Sequence, residues 1–130
     1  MIRFAVSFSV DEAAEKLIAA IDAYPLGLVA HANGQGNCAK KGIVVPADQI
    51  LEVFRPDYAV RVWMAEKSAG IDIPLRIHLY EADGRTWVAY RTATETFKSY
   101  INPQLDVLGG ELDVIFKQLL STLDTGRLPS

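Results

Sequence analysis

Residues 2 to 8 alternate in character: Phe4, Val6 and Phe8 are separated by Arg3, Ala5 and Ser7, the two-residue period of a strand that turns one face to a core. Ser9 stands three residues before Glu12, so each side chain can bond a backbone N–H left open at a helix start. Val10, Ala14, Leu17, Ile18 and Ile21 then recur at helical spacing, until Pro25 and Gly27 end the segment. Leu26 to His31 reads as a short second strand, followed by the loop Asn33-Gly34-Gln35-Gly36-Asn37 and a brief helical turn around Cys38 to Lys41. The β-branched and apolar run Ile50 to Phe54 predicts a third strand, closed by Pro56.

Asp57 is placed to cap a helix carrying Tyr58, Ala59, Val62, Trp63 and Ala65, with Gly70 as its left-handed stop. Two alternating runs follow, Leu75 to Glu81 and Thr86 to Arg91, joined through Asp83-Gly84. Both turn residues tolerate the positive φ of a tight hairpin. Thr94 to Ile101 suits a short helix or turn, and Asn102-Pro103 supplies a cap and a first-turn proline for a long last helix. Leu105, Leu108, Leu112, Ile115, Leu119 and Leu123 form its apolar stripe, which Gly109-Gly110 weaken by about 1 kcal/mol each relative to alanine.

The resulting order, β-α-β-β-α-β-β-α, lacks regular β-α-β alternation. It predicts a two-layer α+β fold, a mostly antiparallel sheet of about five strands with helices packed on one face. One domain spans 1–130, with an ordered core over 1–125 and a tail over 126–130.

Composition sharpens this picture. Half of the 130 residues are hydrophobic and 22% are charged, enough apolar material for one real core. The net charge is −3 and the longest basic run is Lys40-Lys41, which argues against a nucleic-acid partner. The first residues lack a long apolar stretch, so no membrane span is expected and the cytoplasm is the expected location. Cys38 is the single cysteine, which excludes an internal disulfide.

A hairpin turning at Asp83-Gly84 pairs Ile77 with Tyr90 and Leu79 with Val88 on its core face. Its other face sets Arg76 opposite Arg91, His78 opposite Ala89 and Tyr80 opposite Trp87. Two facing arginines call for water, a carboxylate such as Glu81 or Glu95, or a bound anion. That face is therefore the expected interface of a homodimer or the platform for a small anionic ligand, in a binding module rather than an enzyme.

Two rival readings use other residues. His31, Cys38 and His78 are the imidazole and thiol groups of the chain and would be the ligands of a metal or haem iron. They form no CxxC, HxxxH or HExxH pattern, and no cofactor is the simpler expectation. An enzyme acting on a small anionic metabolite would use Arg76 and His78, yet no Ser-His-Asp set or carboxylate pair accompanies them. Asn33 and Asn37 flank glycines in a position suited to phosphate contact, but the GxxxxGK[ST] spacing is missing and a plain turn explains them.

The segment from Gly70 through Pro74 and the hairpin to Tyr90 resembles the domain of unknown function 302 family, whose members carry a similar glycine, proline and hairpin. Gly42, the run Ile50-Leu-Glu-Val-Phe-Arg-Pro, the helix after it and Asn102-Pro103-Gln-Leu follow that family's order. The resemblance implies a small two-layer α+β fold, often homodimeric, with no settled activity and so no catalytic residues to carry over. Phe54-Arg55-Pro56 and Leu75 depart from members with cysteine there, so no thiol role is carried over at those positions.

Overall fold

The computed structural model describes residues 1–129. Five strands, β1 (Ile2–Val6), β2 (Gly27–Asn33), β3 (Asp48–Phe54), β4 (Leu75–Ala82) and β5 (Arg85–Tyr90), form one sheet in the order β1-β5-β4-β3-β2. Every neighbouring pair is antiparallel. The helices are α1 (Val10–Ile21), α2 (Gly34–Ala39), α3 (Pro56–Ala65), α4 (Ala93–Phe97) and α5 (Pro103–Leu120). One cluster, including Leu17, Leu51, Ile77, Leu79, Phe97, Leu105 and Leu112, fills the space between sheet and helices.

Local chemistry accounts for most boundaries. Ser9 Oγ accepts from the Glu12 N–H at 3.1 Å while Glu12 Oε1 accepts from the Ser9 N–H at 3.3 Å, the reciprocal cap that starts α1. Asn102 does more than the sequence suggests. Its Oδ1 accepts from the N–H groups of Gln104 and Leu105, while its Nδ2 donates to the Ala65 carbonyl at 3.0 Å. One side chain thereby starts α5 and satisfies an orphan carbonyl at the end of α3.

The hairpin takes the expected register, with Ile77 opposite Tyr90 and Tyr80 opposite Trp87, and Asp83 and Gly84 both at positive φ. Elsewhere the structure corrects the expectations. The glycine-rich loop is helical: Asn33 Oδ1 caps α2 by accepting from the Gly36 N–H at 2.9 Å, because β2 continues to Asn33 and needs an immediate cap. The helix expected to run to Gly70 stops at Ala65 and re-forms as a tighter 3-10 segment over Lys67–Asp72. Pro56 is its first residue, and Asp57, instead of capping, pairs with Arg55.

The C-terminal segment has a defined course over its first residues. The last helix tightens into a 3-10 segment over Ser121–Gly126, and the chain then runs beside β1. Ser7 N–H donates to the Gly126 carbonyl at 2.6 Å, and Leu128 N–H donates to the Ala5 carbonyl at 2.9 Å. Arg127 thus bridges Val6, and its guanidinium lies 4.3 Å from the centre of the Phe4 ring. Backbone groups of an edge strand need partners, and residues 126–128 supply them. Ser130 lies outside the described residues.

The Arg55–Asp57 pair yields a pH prediction. Hydrogen bonds from Arg55 hold the Asp57 carboxyl down to about 2 from an ordinary 3.8. A depressed carboxylate contributes its stability above the unfolded value and loses it as pH falls from about 4 to about 2. An NMR titration should place the Asp57 midpoint near 2 and return it toward 3.8 in Arg55→Gln. An unchanged midpoint in that variant would show that Arg55 is not the cause.

Candidate functional site

The sheet's second face, turned away from the helices, carries two rows of side chains. Arg3, Ala89, His78 and Ile50 make one row across β1, β5, β4 and β3; Ala5, Trp87, Tyr80 and Asp48 make the next. The Arg3 guanidinium sits 3.9 Å from the centre of Trp87, and the His78 and Tyr80 rings stack at 4.5 Å. Trp87 Nε1 donates to the Ala82 carbonyl at 3.1 Å, and His78 Nε2 lies 3.0 Å from Asp48 Oδ1. Ala5 and Ala89 are only 5% and 6% exposed although no helix covers them.

The β4–β5 ladder ends at the Ile77–Tyr90 pair, one position short of Arg76 and Arg91, and both arginines line the same cleft. β5 ends at Tyr90, and the cross-strand partner of Arg76 is Glu52 on β3, with Arg76 Nε 3.6 Å from Glu52 Oε1. The compensating carboxylate therefore comes from β3 rather than from Glu81 or Glu95. Arg91 forms no ion pair among the described residues.

A cleft of about 580 Å³ opens at this end of the face. Ile50, His78 and Ala89 lie along its floor, with Arg76 and Arg91 also in its lining. The segment Ile71 to Leu75 and residues Glu95, Thr96 and Ser99 complete its walls. Met1 lines it too, and its amino group closes an ion pair with Glu95 at 3.0 Å. Tyr100 donates its hydroxyl to Asp72 on the wall, and this bond is the main reason the Tyr100 phenol is held above its ordinary range. The cleft has the size and the mixed apolar and charged lining of a small-molecule site.

Of the residues singled out by sequence, Arg76, His78 and Arg91 meet in the cleft, whereas Tyr80 and Trp87 lie farther along the same face. His31 is not with them. It pairs opposite Leu51, on the helix-covered side, while His78 pairs opposite Ile50 on the other side. His31 Nε2 lies 2.6 Å from Gln49 Oε1, and Gln49 Nε2 donates to Asp11 Oδ1 at 2.6 Å. That chain gives the buried Gln49, only 3% exposed, its partners. Cys38 is half-buried on α2, and Asn37 is exposed there. Among the described residues no three His, Cys, Asp or Glu side chains are grouped to hold a metal, and no helix is long and apolar enough to cross a membrane.

Sequence reading missed Arg3, Asp48, Glu52 and Asp72. The alternation Asp48, Ile50, Glu52 marks one face of a strand, but the partner of that face depends on the β3–β4 register. Residues 55–74 separate the two strands, and no hairpin turn fixes their alignment.

The order of elements and the cleft-bordering hairpin coincide with a match to the family described as domain of unknown function DUF302, over residues 2–124. The chain belongs to this family. A solved DUF302 structure supports the fold: the crystal structure of an uncharacterized conserved protein DUF302 from Bacillus stearothermophilus. It is 23% identical, with 97% of each chain covered and a TM-score of 0.80. No curated protein matches this DUF302 chain.

Proposed function

We propose that this DUF302 domain is a binding module that takes a small anionic ligand with an apolar body into the cleft at the end of its uncovered sheet face. The observation that carries the reading is Arg91: a guanidinium with no ion pair among the described residues, lining a cleft whose walls include Ile71, Ile73 and Pro74. Arg76 adds a second cation whose partner, Glu52, stands off at 3.6 Å. A planar guanidinium fork suits a carboxylate or phosphate oxygen pair, and the isoleucines suit hydrocarbon.

A thermal-shift screen of branched and aromatic carboxylates and their phosphate counterparts tests this. A ligand at 100 times its dissociation constant stabilises the fold by about 2.7 kcal/mol. Arg91→Ala should abolish that shift while leaving the unliganded melting temperature nearly unchanged, since Arg91 is exposed and forms no ion pair among the described residues. An equal shift in the variant would remove Arg91 from the site.

A second proposal concerns the rest of the face, where Trp87 and Tyr80 are half-buried. Aromatic rings and arginine are enriched where surfaces meet, which supports pairing of two copies there. Trp87→Ala should then shift sedimentation toward the monomer. An unchanged mass would argue against the pairing.

A further inference from the structure

Resting on the cleft reading above, the charge pattern of its lining points to a narrower ligand class: we infer that the cleft is built for a zwitterion, an α-amino acid with an apolar side chain. Most charged groups in and beside the cleft are already matched. Met1 and Glu95 close on each other, His78 stands against Asp48, and Arg76 shares Glu52. Two opposite charges in the lining remain without an ion partner among the described residues, Arg91 and Asp72. They share one cleft and do not pair with each other.

Asp72 is nonetheless held in place, because the Tyr100 hydroxyl donates to it. A neutral donor orients a carboxylate without cancelling its charge. Beside it Ile71 is 85% exposed, an apolar side chain with nothing over it in the free chain. A ligand seated between Arg91 and Asp72 would strip water from both charges at once. A simple carboxylate would answer Arg91 and leave Asp72 dehydrated without a cation, which is costly. An amino acid answers both, its carboxylate on Arg91 and its ammonium on Asp72, with its side chain over Ile71 and Ile73.

The test is isothermal titration with L-valine, L-leucine and L-phenylalanine. Each is set beside the matched acid lacking the amine and the matched amine lacking the carboxylate, which for leucine are 4-methylpentanoate and 3-methylbutylamine. The expected result is that at least one amino acid binds tenfold or more tightly than both of its truncated analogues. Asp72→Asn should then reduce that amino acid to the affinity of its matched acid and leave the matched acid itself unchanged. Acids that bind as well as the amino acids, with no effect of Asp72→Asn, would overturn the zwitterion and leave the anion reading standing. If neither the amino acids nor the acids bind, both readings fall. Asn is close in size to Asp and keeps an oxygen that can accept from Tyr100, so folding of the variant is expected and is checked by its melting temperature.

Discussion

Phe97→Ala should destabilise the fold by about 3–5 kcal/mol, the usual cost of emptying a fully buried phenylalanine site. Phe97 is 0% exposed and is the last residue of α4, a five-residue helix that has few other means of holding its position. Thr94 contributes by bonding Asp113 of α5 through its N–H and hydroxyl, and a side chain on Gly109 would lie 3.1 Å from the Thr94 Cα. α4 and α5 are therefore in backbone contact, and neither can slide to fill a void left at Phe97. In denaturant titration the midpoint should fall with an unchanged slope, and the melting temperature should drop by roughly 10–20 °C. A loss under about 1 kcal/mol would mean the site collapses freely. Because α4 also carries Glu95 and Thr96 to the cleft, Phe97→Ala should weaken ligand affinity as well.

Gly126→Ala is the second large effect. A Cβ at Gly126 would stand 2.4 Å from Phe8 Cε2, far inside contact distance, so the Phe8 ring or the chain after Gly126 must move. Overpacking of this kind costs about 1–3 kcal/mol. The cause is separable by a double-mutant cycle: in a Phe8→Ala background the added methyl should cost almost nothing. Hydrogen exchange gives a second readout, since the Leu128 N–H bonded to Ala5 should lose protection in Gly126→Ala. A full penalty in the Phe8→Ala background would refer the effect to the backbone of Gly126 itself.

The contrast between those two sites shows what the sequence could and could not reveal. The capping pair Ser9 and Glu12, the turn Asp83-Gly84 and the stripe of α5 were legible because each depends on residues a few positions apart. From that turn the cross-strand register of β4 and β5 followed without error. Contacts between distant segments were not legible. Gly126 meeting Phe8, Asn102 reaching Ala65 and Glu52 meeting Arg76 each join elements whose alignment no local signal sets.

The same division runs through the candidate site. Arg76 and His78 were visible because they alternate along β4, and Arg91 because it follows directly on β5 of the same hairpin. Asp72 was not, since its relevance comes from the wall that residues 71–75 build beside the strands. His31 and His78 were grouped by residue type, and the sheet separates them because their positions fall on opposite parities of the paired strands. Sequence identifies which chemistry is present; the register decides which of it is shared.

The two margins of the sheet are unlike each other. At one end of β1 Gly126 and Leu128 take up backbone groups of Ser7 and Ala5, whereas β2 is an outer strand with five of its seven residues exposed and no carboxylate, lysine or arginine along Gly27–Asn33. Uncharged outer strands are the ones to which further chains add. A chain adding at β2 would meet an uncharged edge, whereas one adding at the Ala5–Ser7 end of β1 would first have to displace residues 126–128. The residues after Gly126 thus leave the sheet with two unequal margins as edges for a further strand.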